Sequence, residues 1–195
     1  MERKRELGQA EDKSGLARER LRRRYRPNKV RVLFVGEAPP ASGRFFYQAD
    51  SGLYRAVRDT FINVFPEIGE SEFLGSFQAL GCYLVDLCGR PVDRLPHKQR
   101  TKACRDGEVR LARILKQLRP EIVITVVRSI SANVRRSQQR IHWAGCHVEL
   151  PYPGRWHHHR IAFTRGLGLV LRKTYRPAAK SISKQRKSRI QPPRP

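Results

Sequence analysis

Apolar residues recur along this chain in two alternating rhythms. Val30-Arg31-Val32-Leu33-Phe34-Val35 is a largely β-branched run closed by Gly36, the mark of a buried strand. Leu53, Val57, Phe61 and Val64 then recur at helical spacing. Cys82 to Leu87 predicts a second strand, closed by Gly89-Arg90-Pro91. From His97 to Leu118 a stripe of Cys104, Leu111, Ile114, Leu115 and Leu118 predicts a long helix that stops before Pro120. Ile122 to Val127 reads as a third strand, Ile130, Val134 and Ile141 as another helix, and Cys146 to Leu150 as a short fourth strand. A last helix, Ile161 to Thr174, is weakened by Gly166 and Gly168.

Strands separated by helices require crossovers, which are right-handed and favour parallel pairing. The pattern therefore predicts an α/β fold, a three-layer α/β/α domain with a mostly parallel four-stranded sheet. In such sheets ligands sit outside the carboxyl ends of the strands. The loops 36–47, 86–96 and 151–159 are expected to converge there.

Outside this core the apolar pattern fades. Residues 1–28 form a basic N-terminal arm, with a thin-faced helix around Leu16 to Tyr25, and 29–174 form the domain. Residues 175–195 are rich in Lys, Arg, Ser and Pro, too poor in apolar surface to offset their ordering entropy, and are expected to be disordered. Neither arm is expected to carry chemistry.

Charge changes the picture most. The formal net charge is +24; +5 falls on residues 1–28 and +9 on 172–195, so +10 remains on 29–171 and the core is basic in its own right. Arginine predominates among the basic residues, and its planar fork suits phosphate. A polyanion gains by releasing counterions to such a surface. The expected partner is DNA, with structured RNA as the alternative, bound by a monomer. No segment reaches the roughly 18–20 apolar residues that span a bilayer, and the N-terminus predicts no secretory signal. The four cysteines make no CxxC motif and are read as free thiols in a cytosol-like or nucleoid-associated setting, nuclear if the source is eukaryotic. No metal and no cofactor are expected: the run His157-His158-His159 has adjacent side chains that point apart and no second ligand cluster.

At the predicted ligand edge four segments stand in order: Gly36-Glu37-Ala38-Pro39-Pro40, then Gly43-Arg44-Phe45-Phe46, then Asp86 with Gly89-Arg90-Pro91 and Arg94-Leu95-Pro96, then Leu118-Arg119-Pro120 ahead of the third strand. Together they resemble the uracil-DNA glycosylase superfamily, most closely the branch whose first motif reads Gly-Glu-Ala-Pro-Gly. The likeness covers residues 30–171. It implies a glycosylase-like fold, and base excision from DNA by hydrolysis of an N-glycosidic bond. By that resemblance Glu37 would direct the water, and Phe46 would stack on an extruded base beside Ala38 and Tyr47. Asp86 would read the base edge where relatives carry Asn. An ionised Asp only accepts hydrogen bonds, which disfavours the O4 of uracil. In the last motif Leu150-Pro151-Tyr152-Pro153-Gly154-Arg155 has no His before the proline, so a donor would come from His157 to His159. Arg44, Arg90, Arg94, Arg155, His157, His158 and Arg160 are the expected phosphate contacts. Some members of the branch hold an iron–sulfur cluster on four cysteines; this chain has none before Cys82, and Cys88 and Cys104 are read as buried thiols.

The residues also admit plainer roles. Glu37 could cap its loop or pair with Arg44, Phe46 could be an ordinary core residue, and Asp86 could cap the turn before Gly89. A non-catalytic nucleic-acid-binding relative, its base-reading and oxyanion groups lost, is the alternative to an enzyme.

Overall fold

The computed structural model describes residues 14–154 and 156–175. Arg155, most of the C-terminal tail and residues 1–13 lie outside the described residues, and the readings made of them stay there. Among the described residues six α-helices and four strands follow one another. These are α1 (residues 14–24), β1 (Val32–Gly36), α2 (Gly52–Val64), α3 (Phe73–Ala79), β2 (Cys82–Asp86), α4 (His97–Leu118), β3 (Ile122–Thr125), α5 (Ser131–Gln139), β4 (Cys146–Glu149) and α6 (His157–Tyr175).

The sheet is parallel throughout, in the order β2-β1-β3-β4. Val32 sits between Cys82 and Ile122, and Gly36 ends level with Asp86. With β1 central, right-handed crossovers send the helices after β1 to one face and those after β2 and β3 to the other. The packing agrees: α2 lies against α6, and α4 against α5. The chain order reverses between β1 and β3, which opens a crevice at their carboxyl ends.

Each element has a local cause. β1 and β2 are buried along their whole length, as apolar runs covered on both faces should be. Ser51 starts α2 by accepting the Tyr54 N–H on its hydroxyl, 3.1 Å away. Arg119, in the left-handed region at φ 45°, closes α4 just before Pro120. Gly107 sits mid-helix in α4, where glycine costs about 1 kcal/mol against alanine. A Cβ there would lie 2.5 Å from the Leu87 carbonyl oxygen, so the missing side chain lets α4 close on the end of β2.

Helix α3 has no counterpart in the periodicity reading. Its Phe73 and Phe77, one turn apart and fully buried, join Phe34, Phe46, Tyr54 and Phe61 in one aromatic cluster beneath β1. Seven residues are too short for a stripe to stand out.

The N-terminal helix departs further from expectation. α1 is docked on the domain: Tyr25 stacks on Tyr47 at 5.6 Å, and Gln78 donates to the Arg24 and Arg26 carbonyls. Arg22 is 7% exposed. One buried guanidinium anchors what a thin apolar face could not.

A cleft at the tips of the first two strands

The loops after β1, β2 and β4 do converge. At the carboxyl ends of the strands they enclose a cavity of about 330 Å³, at the small end of the roughly 300–1,000 Å³ range of ligand pockets. Glu37, Ala38, Arg44, Phe46 and Asp86 all line it, joined by Phe45, Asp93, Arg100 and Tyr152.

Glu37 leaves β1 at the crevice. Its carboxylate accepts two hydrogen bonds from one edge of the Arg100 guanidinium, with Nε to Oε1 at 2.6 Å and a second, short contact from Nη2 to Oε2. The partner is therefore Arg100 on α4, not Arg44. Hydrogen bonding to Glu37 raises the Arg100 pKa further above its already high value. The Cys104 thiol lies 3.6 Å from Oε1 and 3.8 Å from the Cys88 sulfur. Burial pushes the Cys88 thiol up to about 12 and raises Cys104 as well, so both are protonated at neutral pH.

Asp86 ends β2 beneath the same cavity, 6% exposed. It does not cap the turn before Gly89. Instead its Oδ2 accepts from Arg22 Nη2 at 2.7 Å, a buried pair contributed by α1. Burial pushes the Asp86 carboxyl up, and the Arg22 guanidinium opposes that shift. Arg110 of α4 donates to the Asp86 main-chain carbonyl at 2.6 Å. Gly36 faces this carboxylate across the strand pair. A Cβ at position 36 would stand 2.8 Å from Asp86 Oδ1, which Arg22 holds from moving aside.

Phe46 serves two ends. It is 3% exposed and packs edge-on against Tyr54 and Phe73, yet it also forms part of the cavity wall. Tyr47 turns the other way. Its hydroxyl accepts from the Leu84 N–H at 2.7 Å and lies 3.1 Å from the Leu84 carbonyl, which pairs the free edge of β2. Burial raises its phenol well above the ordinary tyrosine value. Tyr47 does not line the cleft.

The expected phosphate contacts divide. Arg44 lines the cleft. Arg90 lines a neighbouring cavity with Arg18, Arg22 and Arg110. Arg94 is exposed on the β2–α4 loop, and His157, His158 and Arg160 are exposed on the first turn of α6, outside the cleft lining. His158 packs on His159 at 4.3 Å and faces Trp156 at 6.4 Å. Among the described residues no cluster of His, Cys, Asp and Glu has the makings of a metal site. No described helix is long and apolar enough to cross a membrane.

Of the described arginines expected to contact phosphate, Arg44 alone lines this cleft. Three carboxylates, Glu37, Asp86 and Asp93, line it against two guanidiniums, Arg44 and Arg100. Asp93 is occupied in accepting the Ala41 N–H, which ties the β1 loop to the β2 loop. Sequence reasoning missed Arg22 and Arg100 because nothing local marks an arginine that pairs 64 or 63 residues away. Tyr152, which closes the cleft from the β4 side, sits in a motif read only for its missing histidine.

These features define a doubly wound parallel α/β domain with an aromatic-walled, carboxylate-bearing cleft at its switch point. No protein-family model matches the chain, and no curated protein matches it in sequence.

Proposed function

We propose that the chain binds DNA, receives a base swung out of the helix into this cleft, and hydrolyses the N-glycosidic bond. Glu37 directs water at the sugar carbon. The carrying observation is that Glu37, Phe46 and Asp86, read from separate stretches of sequence, line one cavity. Extruding a base costs a few kcal/mol, which stacking and a fitted pocket return. Phe46 and Phe45 supply the apolar wall, and the +10 of the core draws in the phosphate backbone. Cleavage builds positive charge on the sugar and negative charge on the leaving base. Asp86 in its ionised form can only accept, so a base that presents an amino group there is favoured over uracil.

A second reading, DNA binding without base removal, is favoured by one observation. Arg100 holds both oxygens of Glu37, the geometry of a structural ion pair.

Incubation with duplex and single-stranded oligonucleotides carrying uracil, hypoxanthine, xanthine or a mismatch separates the two. Abasic product that falls about 100-fold or more in Glu37→Gln, with binding retained, is the expected result. Salt-sensitive binding with no abasic product from any base selects the second reading. Absence of binding to either strand form would sink both.

A further inference from the structure

The Glu37–Arg100 pair is a wall shared by two cavities. On its far side lies a second hollow of about 300 Å³, between the first two turns of α4 and the β3–α5 junction. His97, Arg100, Thr101, Arg105, Ser129 and Arg136 line it, and Glu37 is the sole carboxylate in that lining. Arg136 is committed in part to Glu108, 2.7 Å away on α4. Arg105 is exposed and pairs with no carboxylate among the described residues. The surroundings add to the positive potential. α4 has no acidic residue in its first turn and carries Lys98 and Arg100 there. Cations at a helix start oppose its dipole, an arrangement that costs stability unless an anion joins them.

We infer that this hollow takes a phosphate of the nucleic-acid backbone, and that the phosphate competes with Glu37 for Arg100. The Arg100 side chain is 41% exposed and that of Glu37 15%, so the guanidinium is the member a ligand reaches. A phosphate seated between Arg100, Arg105 and Arg136 has three cationic partners to set against the single carboxylate that now holds Arg100. Charge-assisted, forked contacts of this kind are the strong ones. Seating the strand then frees the Glu37 carboxylate on the cleft side, so the ion pair keeps the residue quiet until nucleic acid is bound. The inference rests on the proposed function only in taking the anion to be DNA.

Binding of a short single-stranded oligodeoxynucleotide to the full chain tests it, in the wild type, Arg105→Ala, Glu37→Gln, Arg100→Ala and the Glu37→Gln/Arg100→Ala double variant. Arg105→Ala is expected to weaken binding about tenfold, and to leave the affinity for an uncharged methylphosphonate strand unchanged. Glu37→Gln is expected to tighten binding several-fold with Arg100 present and to do nothing in the Arg100→Ala background, since the gain comes from the released guanidinium. An equal gain in both backgrounds would make Glu37 merely a nearby charge and overturn the competition. An Arg105→Ala variant that binds like wild type, with its fold intact by circular dichroism, overturns the site. Inorganic phosphate that binds as tightly as the strand overturns the assignment to a backbone. None of these measurements counts abasic sites, so this inference and the base-removal reading fail separately.

Discussion

At the β2 edge of the sheet every strand residue is buried, Tyr47 pairs Leu84, and α1 docks beside the strand through Arg22 and Tyr25. At the β4 edge Cys146 is exposed, the next three residues are half-buried, and the ion pair Arg135–Glu149 is partly exposed. Both are outer strands of one parallel sheet, yet one edge is sealed and the other open. The cleft borders the sealed edge: Asp86 and Leu84 of β2 line it, and no residue of β4 itself does. A groove that holds any ligand in fixed geometry needs rigid walls. The helix drawn from the basic arm supplies that rigidity on the side where it counts.

Breaking the sealed edge should cost most. Arg22→Ala strands the buried Asp86 carboxylate and is expected to lower unfolding free energy by about 3–5 kcal/mol in urea melts. Combining Arg22→Met with Asp86→Leu should recover most of that loss, because a well-packed apolar pair replaces a desolvated ionic one. Should Arg22→Ala cost no more than a surface substitution, the edge is not sealed by this pair.

Tyr47→Phe keeps the ring and its stack on Tyr25 but removes the hydroxyl that meets Leu84. The expected loss is about 1–3 kcal/mol, with faster hydrogen exchange at the Leu84 amide.

The open edge predicts a pH effect instead. Burial holds the His147 imidazole below its ordinary value of 6.5, with Nε2 2.7 Å from the Thr125 hydroxyl. The unfolded chain takes up this proton before the folded one does. Stability is therefore complete above about pH 6.5 and declines as pH falls from there toward the depressed folded value, by at most about 1.4 kcal/mol per pH unit. His147→Gln should flatten that part of the pH–stability curve. An unchanged curve would mean His147 titrates alike in both states.

The smallest effect belongs to Arg135→Ala. Its pair with Glu149 has side chains 58% and 28% exposed, and solvent-exposed pairs contribute about 0–1 kcal/mol. Equal losses from Arg22→Ala and Arg135→Ala would erase the distinction between the edges.

Much of this architecture was readable in the chain. The four apolar runs became the four strands, and the stripe from His97 to Leu118 became α4 with those ends. Gly36-Glu37-Ala38 marked the tip of β1, and Asp86 the tip of β2. Short elements were harder. α3 rests on Phe73 and Phe77 meeting an aromatic cluster assembled from distant stretches, and two residues make no periodicity. The adjacent aromatics Phe45, Phe46 and Tyr47 could not be told apart by sequence, since all three are buried and only contacts decide which faces a ligand. Tyr47 proved to be a strand partner, and Phe46 both core and wall.

The sequence by itself determined the parallel α/β class, the identity of the cleft-forming loops and the basic character of the core. Those follow from hydrophobic period, turn residues and composition, which are local or additive. Only the tertiary structure decided that Arg22 meets Asp86, that Arg100 holds Glu37, and that a basic arm becomes the seal of an edge strand. Pairing between charges more than sixty residues apart leaves no local trace, because it depends on which surfaces the fold brings together and shields from water.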